Sequence, residues 1–221
     1  MSAAVVVVGK NVAGTVGTVF AQLPEGIPAV FVDDGSDDGS GEGLPGWVDV
    51  IRHSSSKGYG GAQKSGYLWA LSHGYERVAL VHGDDQYRVE DVVGLLELLE
   101  ESDVALGSRF LADDSGAIIP WWRRFANRGL TGFANSLLGT EMTDGHTGAR
   151  AYRASLLRKV EFERFSNDYL FDQQILVASA KAGARFGERP VRVRYDDEVQ
   201  SISLKNSIKY GLGCLRAIAL G

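Results

Sequence analysis

The segment Val78–Tyr87 places the strongest constraint on what this chain can fold into. A short apolar run in this segment is followed at once by the polar residues His82, Asp84 and Gln86. The pattern predicts a buried strand that delivers polar side chains at its carboxyl end, the edge where ligands of open α/β sheets bind. Asp84 and Gln86 lie two apart, so both can offer oxygen atoms to one divalent cation. Taken alone, the segment fits equally a Mg²⁺ or Mn²⁺ site that bridges a diphosphate and an acidic turn that caps the next helix.

The rest of the chain alternates between strand-like and helix-like patterns. In the first half we predict strands at 3–8, 29–32, 47–51 and 78–81, and helices at 12–23, 60–73 and 89–99. In the second half we predict strands at 103–106 and 190–195, and helices at 123–138, 171–180 and 203–220. This order predicts an α/β fold with a mostly parallel central sheet flanked by helices. No linker or repeat interrupts the pattern, so we expect one domain over residues 1–221.

Composition excludes several classes of protein. No apolar run reaches the roughly 18 residues of a membrane span, and no basic segment precedes the first valines, which predicts a soluble, cytoplasmic chain. Neither a basic stripe nor a zinc-ligand spacing is present, so nucleic acid is not an expected partner. The single cysteine, Cys214, is expected to be a buried, reduced thiol.

Charge is distributed unevenly along the chain. Residues 1–107 contain 6 Lys and Arg against 16 Asp and Glu, whereas residues 108–221 contain 17 against 12. An acidic first half that holds a metal-bound donor and a basic second half that receives an anionic acceptor would fit this asymmetry. Charge can also drift along a chain without purpose, and that interpretation stays open.

Two further polar segments follow predicted strands. Residues 32–40, V-D-D-G-S-D-D-G-S, place Asp33 and Asp34 at a second carboxyl edge, where their side chains can form Asx turns or reach a ligand base or ribose. Residues 57–66, K-G-Y-G-G-A-Q-K-S-G, form a glycine-rich junction whose amides and lysines can face a nucleotide. Glycine spacing of this kind is common and is neither a Walker loop nor a dinucleotide fingerprint.

These segments, together with G-S-R-F at 107–110 and T-D-G-H-T-G-A-R-A-Y-R at 143–153, occur in an order and spacing that resemble a known family. The chain resembles family 2 glycosyltransferases of the dolichol-phosphate mannose synthase type. The resemblance implies a GT-A fold, a nucleoside diphosphate sugar as donor, and Mg²⁺ or Mn²⁺ as cofactor. Residues 1–107 would form the donor half and residues 108–221 the acceptor half.

The resemblance also implies roles for individual residues. Asp84 and Gln86 would hold the metal on the donor diphosphate. The family usually has Asp where this chain has His82, so either His82 is a ligand that biases the choice of metal, or Asp84 works with fewer protein ligands. The predicted ligand-binding residues are Asn11, Asp33, Asp34, Lys57, Gly58, Gln63, Arg194 and Ser201.

The catalytic candidates are Asp84, Arg109, Arg123 and Asp144. In the family, arginines at the positions of Arg109 and Arg123 grip phosphate oxygens; an arginine that simply packs and pairs with Asp113 or Asp114 is the alternative. Asp144 would be a general base or an anchor of the acceptor pocket. An alcohol acceptor needs a base, whereas a phosphate monoester is ionised near neutral pH and attacks unaided.

The function predicted is an inverting transfer of a hexose-type sugar from a UDP-, GDP- or dTDP-sugar. The expected acceptor is polyprenyl phosphate, or a small molecule that bears a phosphate or a hydroxyl. The closing helix at 203–220 can lie on the protein or on a membrane surface. Two alternatives stay open: a sugar-1-phosphate nucleotidyltransferase, although V-G-K-N at 8–11 lacks the expected glycine-rich loop, and a non-catalytic module that binds a nucleotide sugar.

Overall fold

The protein is built on one seven-stranded sheet with the strand order β3-β2-β1-β4-β6-β5-β7. The computed structural model describes residues 2–112, 121–194 and 213. Strand β6 is antiparallel to both of its neighbours, and every other pairing in the sheet is parallel. The predicted α/β fold with a mostly parallel central sheet is therefore confirmed.

Four parallel strands form the first part of the sheet. They are β1 (Ala3–Gly9), β2 (Ala29–Asp33), β3 (Val48–Arg52) and β4 (Arg77–His82). The interiors of β1, β2 and β4 are apolar on both faces, as expected for strands that are covered by helices on each side. Because these strands are parallel, their carboxyl ends meet at one edge, where Gly9 pairs with Asp33 and Val8 with His82.

The remaining strands complete the sheet on the other side of β4. They are β5 (Val104–Ser108), β6 (Arg150–Arg153) and β7 (Phe186–Pro190). Strand β6 lies between β4 and β5, pairing Ala79 with Ala151 and Ala105 with Ala151. A segment from late in the chain is therefore inserted between two strands that follow one another in sequence.

Helices cover both faces of the sheet. They are α1 (Val16–Ala21), α2 (Tyr59–Ser72), α3 (Val89–Val93), α4 (Leu95–Leu98), α5 (Trp121–Leu138), α6 (Ala154–Lys159) and α7 (Phe171–Lys181), with a 3₁₀ turn at Phe162–Arg164. One apolar core lies between the sheet and α2, α6 and α7, and a second lies between the sheet and α1, α3 and α4.

Two predicted helices differ from the structure. Helix α1 begins at Val16 rather than at residue 12, because the amides of Asn11, Val12 and Ala13 donate instead to side chains of the loop after β2. The helix predicted at 89–99 is interrupted at Gly94, whose carbonyl oxygen accepts a hydrogen bond of 2.7 Å from Nη1 of Arg189.

The strand predicted at 190–195 is wrong. Strand β7 ends at Pro190, and Val193 forms only an isolated bridge with Tyr87. The alternation that suggested a strand has another cause: Arg192 pairs with Asp91 in α3, and Arg194 pairs with Asp85 in the turn after β4.

Several predictions lie outside the described residues. They concern Cys214, Ser201, the alternative partners Asp113 and Asp114, the side chain of Arg123, and the closing helix at 203–220, of which only Gly213 is described, as helical. Among the described helices, none combines the length and the apolar character needed to cross a bilayer.

Candidate active site

The loops that follow β1 and β2 are joined at the carboxyl edge of the sheet. Asn11 has a positive φ of 55°, and its Oδ1 accepts a hydrogen bond of 3.2 Å from the amide of Asp37. In return, Ser36 and Ser40 accept hydrogen bonds from the amides of Asn11 and Val12. Asn11 is exposed at this junction, so it stays a predicted contact for the nucleotide.

Asp33 and Asp34 are both buried and hydrogen-bonded within the protein. Oδ2 of Asp33 accepts from Nε of Arg52 at 2.8 Å. Asp34 accepts from Ser56, from the amides of Lys57 and Gly58, and contacts Nδ1 of His53 at 2.7 Å. Burial opposes the charged form of Asp34, but these hydrogen bonds outweigh it and hold its pKa below the ordinary value. Both carboxylates anchor loops in this structure, and their contact with base and ribose stays a prediction.

The glycine-rich junction packs against the second half of the chain rather than leaving its amides open to a ligand. The amide of Gly58 donates to Asp34 at 2.9 Å, and the amides of Gly60 and Gly61 donate to the carbonyl oxygen of Asn167. A Cβ on Gly58 would lie 2.5 Å from that same oxygen, which explains the need for glycine. The Gly58 amide therefore has an internal acceptor, and its contact with a nucleotide stays a prediction.

Gln63 also has internal partners. Its side chain is fully buried, donating to Asp172 at 2.9 Å and accepting from Tyr67 at 3.0 Å. Its contact with a ligand stays a prediction. Lys57 is exposed, and its predicted role is still open.

The corner that follows β4 contains His82, Asp84 and Gln86. Asp84 is exposed, and its Oδ1 accepts from the amide of Gln86 at 3.1 Å. Among the described residues, no cationic side chain pairs with Asp84, whereas Asp85 pairs with Arg194 at 2.8 Å and also accepts from Gln22. The negative charge of Asp84 is therefore not neutralised by any of the described side chains.

This donor set fits a hard divalent cation. One carboxylate and one amide oxygen suit Mg²⁺ or Mn²⁺, which are held by one or two carboxylates while substrate phosphates fill other positions. Within the described parts of the chain, no group of three or more His, Cys, Asp or Glu side chains forms a complete metal cage. The corner therefore fits a cation shared with a substrate better than a structural metal.

Arg109 and Asp144 form an ion pair at the end of β5. Nε and Nη2 of Arg109 donate to the two carboxylate oxygens of Asp144 at 2.7 and 2.9 Å, and the Arg109 amide donates to Oδ2 at 3.2 Å. Asp144 is completely buried, and its amide and that of Thr143 donate to Glu188 on β7. Asp144 thus anchors Arg109 in this structure.

Arg194 lies beside the β4 corner. Its amide donates to the carbonyl oxygen of Gln86 at 2.7 Å, and its guanidinium pairs with Asp85. Arg123 is on α5, with its side chain outside the described part, so its contact with phosphate stays a prediction.

A buried polar network lies beneath the corner. Arg150 is fully buried, with Nη1 donating to the carbonyl oxygen of Asp172 at 2.7 Å and Nη2 lying 3.6 Å from Oδ2. The hydroxyl of Tyr59 lies 3.3 Å from that Oδ2 and 2.9 Å from Nε2 of His82. Burial disfavours the charge on Arg150, but the Asp172 carboxylate and neighbouring hydroxyls raise its pKa above the ordinary value. The pKa of Tyr59 is raised well above its usual range, mainly by burial and to a smaller extent by the charge of Asp172.

Sequence reasoning missed two members of this arrangement. Tyr59 is the central residue of K-G-Y-G-G, and the glycines and lysine of this segment predicted a nucleotide contact without indicating a role for the tyrosine ring. Gly148 lies against the imidazole of His82, so that a Cβ there would be 2.5 Å from Cε1. No pattern in a single sequence signals such a contact, because the two residues are far apart along the chain.

The fold is the one shared by the GT-A glycosyltransferases. Mannosyl-3-phosphoglycerate synthase from Rubrobacter xylanophilus superimposes with a TM-score of 0.70 at 16% identity, covering 99% of this chain and 73% of the other. Glucosyl-3-phosphoglycerate synthase from Mycobacterium tuberculosis, solved with Mn²⁺, UDP and glucosyl-3-phosphoglycerate, gives 0.70 at 15% identity, covering 98% and 78%. At these identities the likeness concerns the fold.

The chain belongs to glycosyl transferase family 2, whose family model matches residues 5–161. An undecaprenyl-phosphate mannosyltransferase from Micrococcus luteus is 29% identical over 188 residues, 80% of this chain and 75% of that protein. A polyprenol monophosphomannose synthase from Mycolicibacterium smegmatis is 28% identical over 191 residues, 82% and 72% of the two chains. The resemblance drawn from the motifs is thereby confirmed, and the chain is a glycosyltransferase.

Proposed function

We propose that the chain transfers a hexose-type sugar from a nucleoside diphosphate sugar to polyprenyl phosphate, with inversion at the anomeric carbon and with a divalent cation at the β4 corner. The observation that carries this proposal is the exposed Asp84 carboxylate at the carboxyl end of a central strand. Its neighbour Asp85 is neutralised by Arg194, whereas Asp84 has no cationic partner among the described residues.

Asp84 and Gln86 would hold Mg²⁺ or Mn²⁺ on the donor diphosphate, where such a cation neutralises the charge of the leaving group. Asn11, Asp33, Asp34 and Lys57 line the same edge and would contact the nucleoside. For the two buried aspartates, direct contact requires their internal hydrogen bonds to rearrange. The relatives with solved nucleotide complexes support a metal-bound UDP in this fold.

Arg109, Arg123, Arg194 and Ser201 would bind phosphate oxygens of donor or acceptor. The bidentate contact with Asp144 fixes the guanidinium plane of Arg109 and so orients it in advance. A phosphate acceptor is ionised near neutral pH and attacks without a base, which agrees with a buried, paired Asp144 in an anchoring role.

Polyprenyl phosphate is favoured as the acceptor by the names of the two relatives above, an undecaprenyl-phosphate mannosyltransferase and a polyprenol monophosphomannose synthase. Phosphoglycerate is the second candidate, because 3-phosphoglycerate stands in the names of the two structural neighbours. Both acceptors present a phosphate to the basic second half of the chain.

A lipid acceptor requires that the protein approach a membrane, and α5 offers a surface for this. Phe125, Phe133 and Leu137 are 79%, 41% and 53% exposed and lie on one line of i, i+4 positions. Arg124 and Arg128 stand beside this line, over the ring of Phe110. We expect the apolar line to enter the headgroup region while the arginines face lipid phosphates.

The test is a transfer assay with radiolabelled UDP-, GDP- and dTDP-sugars, each offered with undecaprenyl phosphate or phosphoglycerate, with Mn²⁺, Mg²⁺ or EDTA. The proposal predicts one donor that labels the lipid in a metal-dependent reaction and a product with inverted anomeric configuration by NMR. Labelling of phosphoglycerate alone would replace the acceptor, and release of a nucleotide sugar from sugar phosphate and nucleoside triphosphate would overturn the proposal.

A further inference from the structure

A chain of four side chains connects the β4 corner to the buried core. His82 contacts Tyr59, Tyr59 contacts Asp172, and Asp172 lies against Arg150. The role of these side chains deepens the proposed function and rests on it, because they adjoin the same metal corner. Neither the motifs nor the comparisons assign a role to Tyr59.

The position of the protons along this chain follows from the donors available. Arg150 keeps its charge, and a carboxylate opposite it can only accept hydrogen bonds. Oδ1 of Asp172 accepts from Gln63 at 2.9 Å, so the 3.3 Å contact at Oδ2 is satisfied when the Tyr59 hydroxyl donates to it. Tyr59 has one hydroxyl proton. When this proton forms the hydrogen bond to Asp172, the Tyr59 oxygen can only accept a hydrogen bond from Nε2 of His82.

The opposite arrangement leaves one contact unfavourable. If Tyr59 donated to His82, its oxygen lone pairs would face the Asp172 carboxylate at 3.3 Å with no proton between them. A contact between two acceptors without a proton is costly where little water is available, and Asp172 is only 8% exposed. The network therefore selects the neutral tautomer of His82 that has its proton on Nε2 and a lone pair on Nδ1.

The ring of His82 is also fixed in orientation. The rings of Tyr59 and Tyr87 meet it edge to face at 5.5 Å, with interplanar angles of 90° and 89°. Gly148 leaves room for its Cε1 edge. Within the described residues, Nδ1 makes no hydrogen bond, and Asp84 follows two residues later.

The geometry points to His82 as a nitrogen ligand, through Nδ1, of the divalent cation held by Asp84, with Tyr59 and Asp172 as positioning residues that set its tautomer. Metal-bound histidines commonly donate their other ring nitrogen to a protein acceptor in this way. An imidazole ligand suits Mn²⁺ better than Mg²⁺, so the corner would prefer Mn²⁺.

The tautomer is tested first in the metal-free full chain, by long-range ¹H–¹⁵N correlation spectra of the histidine rings near pH 8, with His82 assigned through His82→Asn. We expect an unprotonated Nδ1 and a protonated Nε2 in the native protein, and a mixture of tautomers in Tyr59→Phe. Tyr169→Phe, which removes a hydroxyl from the ring stacked on Tyr59, is the matched control and should retain the native spectrum. A protonated Nδ1 in the native protein overturns the inference.

Coordination is tested by pulsed electron paramagnetic resonance of bound Mn²⁺, alone and with UDP or GDP, using ¹⁴N- and ¹⁵N-histidine-labelled protein. The inference predicts nitrogen coupling that follows the label and vanishes in His82→Asp, and an affinity for Mn²⁺ about 10- to 100-fold weaker in Tyr59→Phe. Mn²⁺ bound without histidine coupling, or no Mn²⁺ bound at all, overturns it. Sugar transfer measured in parallel separates the two proposals, since transfer that persists without histidine coupling leaves the proposed function standing.

Discussion

His146 is a half-buried group whose ionisation couples folding to pH. Its pKa is lowered to about 4, mainly by burial, with Arg150 and Arg109 also opposing the charged form and Asp144 favouring it. Its Nδ1 lies 3.2 Å from Nε2 of Gln173 on α7. In the unfolded chain the same side chain has the ordinary histidine pKa of about 6.5. At a pH between these two pKa values, His146 therefore binds a proton in the unfolded state but not in the folded state.

We predict that His146 contributes stability that is fully present above about pH 6.5 and is lost as the pH falls toward about 4, by up to about 3 kcal/mol. His146→Asn should flatten the dependence of the unfolding free energy on pH in this window, as measured by urea denaturation. The exposed His73→Asn is the control and should keep the native slope. Equal slopes for His146→Asn and the native protein would show that the group does not titrate as described.

Gly148 is a second residue whose effect can be isolated. A Cβ at this position would lie 2.5 Å from Cε1 of His82, so Gly148→Ala must displace the imidazole from Tyr59. We expect a loss of about 1–3 kcal/mol in the free energy of unfolding, typical of an overpacked site. Gly17→Ala in α1, where nothing lies within 4 Å, should not destabilise the fold. If both variants unfold at the same urea concentration, the close approach of Gly148 to His82 does not affect the free energy of unfolding.

At the level of elements, the sequence predicted best the segments that carry their own signal. The apolar runs of β1, β2 and β4 are short, continuous and followed by polar residues, so their length and flanking residues locate them. Strand β7, with the sequence F-G-E-R-P, has neither an apolar run nor alternation and is held in the sheet by its pairing with β5. Such tertiary pairing is not visible in a local pattern.

The candidate site likewise contains residues that the sequence could locate and partners that it could not. The corner at Asp84 and the loop at Asp33 could be located from the sequence because both directly follow apolar strands. The internal partners of Asp34, His53 and Ser56, and the cap that Asn167 provides for α2, come from other loops. Local reasoning therefore placed these residues at the carboxyl edge of the sheet but could not identify their internal hydrogen-bond partners.

The prediction at the level of elements concerns membrane binding by helix α5. Replacing Phe125 and Leu137 with serine should weaken co-sedimentation with vesicles that contain anionic lipid by several-fold, because the exposed apolar line is lost. Leu68→Ser, at a 42% exposed apolar position on α2, is the control. Equal sedimentation of the double variant and the native chain would remove α5 from membrane contact.

For the whole molecule, the two halves are bound together both by the sheet and by charge. Strand β6 lies between β4 and β5, so residues 108–221 contribute a central strand to the sheet that residues 1–107 begin. Arg189, Arg192 and Arg194 pair with Glu97, Asp91 and Asp85 across the boundary. Part of the charge asymmetry along the sequence therefore serves to join the halves.

Because the halves share one sheet, the chain should unfold as one unit. Urea transitions followed by tryptophan fluorescence and by far-ultraviolet circular dichroism should coincide, because neither half contains a complete sheet. Two separated transitions would show that residues 1–107 and 108–221 fold independently.

The central claim is that Asp84 holds a cation on the diphosphate of the donor. Isothermal titration of the nucleoside diphosphate selected by the transfer assay, with and without Mn²⁺, tests it most directly in native protein, Asp84→Ala and Glu25→Ala. Glu25 is an exposed acid in the loop that precedes β2. The account predicts that Mn²⁺ strengthens binding roughly tenfold or more in the native protein and in Glu25→Ala, and that Asp84→Ala folds normally but loses this gain. An undiminished effect of Mn²⁺ in Asp84→Ala would contradict it.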